Sequence, residues 1–169
     1  TDLPEGRVKP GTIVVKVADL NTAQGDGELV TLGLGSCVAI CLHDPVARVA
    51  GMAHVLLPNR SLSRNAENPA KFPQSAVPLL VEKMVALGAD KGRLTARLVG
   101  GASMFGNLSP SGAVQMGERN VVASRQVCEE QGIPVTGEAT GGTTGRSIRL
   151  QAADGALFIR TLAGGERPL

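Results

Sequence analysis

The sequence carries three cysteines, Cys37, Cys41 and Cys128, and two histidines, His43 and His54. Cys37 and His54 are the pair whose placement suggests chemistry. Two apolar runs, residues 37–43 and 49–57, flank Asp44-Pro45-Val46-Ala47-Arg48. Asp before Pro is a good start for a type I turn, because Pro pre-sets φ and the carboxylate caps the turn amides. The spacing predicts a β-hairpin with Pro45-Val46 at its tip and Asp44 paired with Ala47. In that register Val38 faces Ala53, Ile40 faces Gly51 and Leu42 faces Val49, which makes one face apolar. On the other face Cys37 lies directly opposite His54. Opposed side chains have Cβ atoms about 4.5–5.5 Å apart, close enough for an imidazole to take a proton from a thiol. A longer loop shifts the register and leaves the pair diagonal or on different faces.

A Cys–His pair is a nucleophile unit. The thiolate is the reactive species, and a nearby imidazole lowers the thiol pKa by pairing with it. An enzyme cysteine of this kind is expected to have a low pKa and to alkylate faster than Cys41 or Cys128. Gly33-Leu34-Gly35-Ser36 precede Cys37. A backbone turned at Gly35 and Ser36 would let the amides of Ser36 or Cys37 face a developing oxyanion. A third group usually orients the base. Thr31, on the preceding strand, is the nearest polar candidate, whereas His43 and Asp44 belong to the far end of the hairpin.

Other readings of the same residues stand beside this one. A cysteine that opens a strand is often a core residue. Cys37, Cys41, His43 and His54 could also be read as a zinc set. Three of them share one strand with their side chains spread along it, and no second CxxC appears, so no metal is expected. Cys128 falls at an inward helical position and reads as core. Met52, Met84, Met104 and Met116 have no stripe spacing and read as core filling. Arg119, between Glu118 and Asn120, reads as a solvated helix start.

The elements that must position these residues follow from periodicity. Residues 1–10 form a loose lead-in. Residues 12–18 alternate and predict a strand, 19–27 a loop, and 28–34 a second strand. After the hairpin, residues 58–74 are polar with three prolines and read as an irregular excursion. Residues 75–87 have helical spacing through Val77, Leu80, Val81, Met84, Val85 and Leu87, with Gly88 as the stop. A strand at 93–99, a glycine-containing loop at 100–117 and a helix at 118–131 follow. That helix turns Val121, Val122, Val127 and Cys128 inward and ends at Gly132. Strands at 133–139, 147–152 and 156–162 close the chain, the last two joined by the hairpin signal Asp154-Gly155. Hairpins require antiparallel pairing, so the expected class is a layered α+β domain spanning residues 1–169.

Composition narrows the function classes. The chain has 169 residues, 43% of them hydrophobic and 19% charged, which excludes a disordered tail. A formal charge of +2 is too balanced to argue for nucleic acid, and with 2% aromatics there is no base-stacking platform. No apolar run is long enough to span a bilayer, so no membrane insertion is expected. An odd cysteine count and no visible export signal point to reduced thiols in the cytoplasm. Gly33-Leu34-Gly35 does not extend to a dinucleotide fingerprint, and no phosphate-loop pattern is present.

At Thr31-Leu32-Gly33-Leu34-Gly35-Ser36-Cys37-Val38-Ala39 the sequence resembles the chemoreceptor glutamine deamidase family, CheD. The resemblance continues through Gly51-Met52-Ala53-His54-Val55-Leu56-Leu57-Pro58 and Gly100-Gly101-Ala102-Ser103-Met104-Phe105. Gly117-Glu118-Arg119-Asn120 and Gly141-Gly142 complete it. It implies hydrolysis of glutamine side-chain amides on bacterial chemoreceptors to glutamate and ammonia, with no cofactor. It places the family's cysteine, histidine and threonine at Cys37, His54 and Thr31. It further implies docking to a CheC-type phosphatase, and an α/β/β layered fold similar to toxin domains that deamidate a host glutamine. The substrate helix would then need a groove, for which loops 58–74 and 100–117 are the candidate walls. Gly100 and Gly101 would allow close backbone approach, and Met104 and Phe105 would supply an apolar anchor unless they are core. The competing classes are a non-enzymatic docking module and a thiol protease.

Overall fold

The structure, a computed structural model, describes residues 11–103 and 111–169, the side chains of 111–115 excepted. Among the described residues, ten strands form two five-stranded sheets. The first runs β1 (Thr12–Val14), β3 (Glu28–Leu34), β8 (Arg146–Gln151), β9 (Leu157–Thr161) and β10 (Gly165–Pro168). The second runs β2 (Asp19–Gln24), β5 (Val49–Val55), β4 (Val38–Asp44), β6 (Thr95–Gly100) and β7 (Val135–Thr140). Two pairs, β1–β3 and β6–β7, are parallel and the rest antiparallel. Helices α1 (Pro73–Ala86) and α2 (Ser111–Glu130) cover the second sheet. This is the expected α+β class in three layers: helices, second sheet, first sheet.

The central hairpin is apolar on both faces because it is covered on both. Val38, Ile40, Leu42, Ala53 and Val55 pack against Val77, Leu80 and Met84 of α1 and Val121, Val127 and Cys128 of α2. Cys37, Ala39, Cys41, Ala50 and Met52 point the other way, onto Leu29, Leu34, Ile148, Leu150 and Ile159 of the first sheet. Any chemistry carried by the Cys37 face therefore lies between the two sheets.

Several elements differ from their sequence reading. The expected strand 12–18 ends at Val14, after which the chain crosses from the first sheet to the second with Ala18 at φ 58°. The expected loop 19–27 is largely strand β2. It buries only Leu20 and Ala23, its two apolar residues, and its pairing with β5, not its propensity, makes it a strand. Helix α2 starts inside the expected loop 100–117. Val122 is 49% exposed, one position round the helix from buried Val121, and Val85 and Leu87 also lie outside. Strand β10 was not legible: its residues are exposed and it contains Pro168, as suits an edge. The excursion 58–74 holds two short 3₁₀ turns, capped by Asn59 and Asn68.

The hairpin turn is also longer than expected. Asp44 pairs with Val49, leaving Pro45–Arg48 as a four-residue turn. A two-residue hairpin needs positive φ at its first central residue, which the ring of Pro45 forbids. Asp44 Oδ1 accepts from the amides of Val46 at 2.9 Å and Ala47 at 3.1 Å, as the Asp-Pro signal implied, and Arg48 closes the turn at φ 56°. Asp44 Oδ2 accepts from Asp90 N at 2.8 Å, and the carboxylate is paired with Arg93 at 2.9 Å. Burial alone would raise the Asp44 pKa, but the Arg93 guanidinium and these amides hold it well below the usual carboxylate range.

Asp44→Asn should therefore lower stability by about 2 kcal/mol at neutral pH, through weakened donors and loss of the Arg93 pair. A depressed native pKa gives stability that is present above the unfolded value and is lost as pH falls. The gap between wild type and variant should thus close below about pH 4. Chemical denaturation at a series of pH values checks this; a gap constant down to pH 2 would contradict it.

Candidate active site

The first sheet contributes Thr31, on β3, and the second contributes His54, on β5; both are fully buried. Thr31 Oγ1 lies 2.7 Å from His54 Nδ1 and donates to the Val15 carbonyl at 2.6 Å. A hydroxyl has one hydrogen, and a carbonyl can only accept. The Thr31 hydrogen is therefore committed to Val15, and the oxygen can only accept from His54. This fixes the imidazole as the Nδ1–H tautomer and leaves a lone pair on Nε2. That nitrogen is buried and has no hydrogen-bond partner among the described residues. Burial also lowers the His54 pKa to about 4, so the ring is neutral near pH 7. The crossing segment also holds the strand at His54, because Ala18 N donates to the His54 backbone carbonyl at 2.8 Å.

The four-residue turn changes the relation between Cys37 and His54. Ala39, not Cys37, is the residue opposite His54. A shift of two positions preserves the faces, so Cys37, two residues before Ala39, lies on the same side as His54 but diagonal to it. Diagonal neighbours are about 7–8 Å apart at Cα, within reach of long side chains, and the residue opposite the ring carries only a methyl group. Cys37 is 8% exposed, against 1% for Cys41 and none for Cys128. Burial raises the Cys37 pKa, and its own backbone amide offsets this only in part. The expected low-pKa thiolate is thus not the resting state: desolvation of the thiol outweighs the amide. Burial pushes Cys41 up to about 12, against the pull of Arg97, and Cys128 to about 11.

The segment before Cys37 is held by its carbonyls. Gly101 N donates to Cys37 O and Ala102 N to Gly35 O, both at 2.8 Å. Asn120 Nδ2 donates to Ser36 O at 2.9 Å and to Leu56 O at 3.1 Å. The close backbone approach expected of Gly100 and Gly101 is made within the chain itself. A Cβ on Gly100, at φ +119°, would collide with the Cys37 carbonyl, and one on Gly101 would collide with Val121. Gly101 also lines an open pocket of about 370 Å³ with Ser103, Glu118, Val122, Arg125 and Thr140. Met104 and Phe105 lie outside the described residues.

Two further residues were not found from sequence. Val15 acts through its carbonyl, which no side-chain pattern reports. Asn120, next to Arg119, the residue read as a solvated helix start, is fully buried. Its signal was the repeat of polar residues four apart, Asn120 and Ser124, on the same helix face as Val121, Val127 and Cys128. His43 sits at the other end of the hairpin, where its Nε2 meets the Ala152 carbonyl at 2.8 Å. Among the described residues, no three His, Cys, Asp or Glu side chains are grouped to hold a metal, and no helix is long and apolar enough to cross a membrane.

The family model for CheD chemotactic sensory transduction matches residues 56–161. Probable chemoreceptor glutamine deamidase CheD of Caldanaerobacter subterraneus subsp. tengcongensis is 41% identical, over 89% of this chain and 93% of that protein. The protein of the same name from Clostridium novyi is 41% identical over 93% and 97% of the two chains. That of Clostridium kluyveri is 40% identical over 90% and 94%. The crystal structure of Bacillus licheniformis hypothetical protein YfiH aligns with a TM-score of 0.46 and 15% identity, over 72% of this chain and 50% of that one. With a family model over more than half its length and relatives near 40% identity along nearly all of it, the chain belongs to the CheD family.

Proposed function

We propose that this protein hydrolyses glutamine side-chain amides on bacterial chemoreceptors, with Cys37 as nucleophile, His54 as general base and Thr31 as the group that orients it. The observation that carries the reading is a neutral, buried imidazole with one nitrogen pinned and the other holding an unpartnered lone pair, diagonal to the most exposed of the three cysteines. The relatives' names supply the substrate.

The chemistry follows from the two neutral groups. Resting Cys37 is a thiol and His54 an imidazole, so the proton moves as the sulfur attacks. The S–C bond forms, the thiol proton passes to His54 Nε2, and the carboxamide oxygen becomes an oxyanion. The imidazolium then protonates the nitrogen, the C–N bond breaks and ammonia leaves a thioester. Water attacks that thioester with His54 again as base, and glutamate and the thiol are released. Thiol, imidazole and water balance every step. Receptor helices are the macromolecular substrate, and a CheC-type phosphatase is the second partner. The competing reading, a docking module for that phosphatase alone, leaves Cys37 without a chemical role.

Incubation of a receptor cytoplasmic fragment with the protein, followed by peptide mass analysis, should show glutamine-to-glutamate conversion on an intact chain. Cys37→Ala should abolish it, and His54→Ala should cost about 10²–10⁴-fold in kcat. Conversion by Cys37→Ala at the wild-type rate would overturn Cys37 as nucleophile, absence of conversion by the wild type would leave only the docking reading, and receptor cleavage would indicate a protease. Because His54 accepts a proton only when neutral, the acid limb of kcat/KM should lie near the imidazole's pKa of about 4. A limb near ~6.5, the unperturbed histidine value, would count against the buried neutral base.

Thr31→Ala removes the acceptor for the Nδ1 hydrogen and frees the ring to rotate or change tautomer. It should lower kcat by about 10²-fold while KM moves little, and Thr31→Ser should recover much of the loss. A kinetically silent Thr31→Ala would assign the orienting role to another group.

A further inference from the structure

The proposed nucleophile needs an amide aimed at the oxyanion that forms on its acyl carbon, and one residue outside the proposed triad fixes where the Cys37 amide points. Asn120 Nδ2 faces two carbonyl oxygens, those of Ser36 and Leu56. Two acceptors on one side of the side chain decide the orientation of its amide group, since reversing it would set oxygen against oxygen. Both Nδ2 hydrogens are then spent, one on the residue before Cys37 and one on the residue after β5. Asn120 Oδ1 is left buried with no partner among the described residues.

The consequence lies in the peptide plane. In a trans peptide the carbonyl and the following N–H point in opposite directions. With the Ser36 carbonyl turned to Asn120 on α2, the Cys37 N–H is turned away from the helix. Among the described residues that N–H meets no backbone or side-chain acceptor in another residue. It belongs to the same residue as the sulfur that would carry the acyl group. An oxyanion formed on that side of a tetrahedral adduct on Cys37 Sγ would meet this amide.

Resting on the reading of Cys37 as nucleophile, we infer that Asn120 is a positioning residue: by holding the Ser36 carbonyl it aims the Cys37 amide at the developing oxyanion, and by holding the Leu56 carbonyl it ties that segment to the strand carrying His54. The sequence expectation placed oxyanion donors at Ser36 or Cys37; the Asn120 clamp favours Cys37. Asn120 touches no reacting atom and acts through the peptide it holds.

The test separates oxyanion stabilisation from general damage. Alkylation of Cys37 by iodoacetamide displaces iodide and forms no oxyanion, whereas deamidation does. Asn120→Ala should lower kcat for receptor deamidation by about 10²-fold, with KM and the Cys37 alkylation rate each within about threefold of wild type. An unchanged kcat overturns the inference. So does a parallel fall in kcat and alkylation, which would mean that Asn120 only maintains the fold. Should Asn120→Ala fail to fold, Asn120→Asp is isosteric and its protonated carboxyl restores one donor. Its kcat deficit relative to wild type should shrink from about pH 8 to about pH 6, because a carboxyl facing carbonyl oxygens keeps its proton to unusually high pH. A deficit that does not change with pH overturns the inference. Activity surviving in Cys37→Ala, run in parallel, removes the nucleophile and this inference with it. An inactive Cys37→Ala beside a fully active Asn120→Ala removes Asn120 alone.

Discussion

A threonine hydroxyl has a single hydrogen, and in this protein the Val15 carbonyl takes it. From that commitment follows the polarity of the contact to His54, and from the polarity the tautomer of the ring. The contact joins both sheets: Thr31 belongs to the first, His54 to the second, and Val15 to the segment that crosses between them. The same segment returns to His54 through the amide of Ala18. The fold is layered in the way this contact requires. Helices on one side of the second sheet leave its other face free to close on the first, and the hairpin strands are apolar on both faces because both are covered.

Burial sets the rest state of the site. It disfavours imidazolium and thiolate alike, so His54 is neutral and the Cys37 thiol holds its proton. A standing ion pair, common among reactive cysteines, is replaced by a neutral acid and a neutral base separated by a wide pKa gap. On the proposed reading the proton moves only when a carboxamide accepts the sulfur and the oxyanion finds a donor. The thiol form is also the less readily oxidised one. Steric demand and polar cost are gathered where this arrangement is held: Gly100 at a φ that ordinary side chains avoid, packed on the Cys37 carbonyl, and Asn120 with a buried oxygen left over.

Much of this was legible in the residues, and the failures have physical causes. Strand β3 was read with the bounds it has, because Glu28–Leu34 is bordered by turn-forming residues. The hairpin and both of its faces were read correctly, but its register was off by two. Proline at the tip was taken as a turn signal without the further consequence that its fixed φ excludes a two-residue loop. Since side chains alternate with period two, that error kept Cys37 on the His54 face and changed only directly opposed to diagonal. Strand β2 was missed because Asp19–Gln24 owes its conformation to β5. Val15 was invisible as a contributor because a carbonyl has no sequence signature, and Asn120 because a polar residue beside two charged ones reads as solvent-facing.

The polarity of the Val15–Thr31–His54 chain can be read directly. His54 is one of only two histidines, and the other, His43, points its Nε2 at the Ala152 carbonyl and so must carry its hydrogen there. Nitrogen NMR of protein labelled at histidine, recorded at about pH 8 where imidazoles are ordinarily neutral, should resolve one ring of each tautomer. The ring lost in His54→Ala should be the Nδ1–H form, with an unprotonated Nε2. Finding His54 as the Nε2–H tautomer would mean that Thr31 donates to the ring, and finding it there or as imidazolium would mean that the lone pair assigned to the base does not exist.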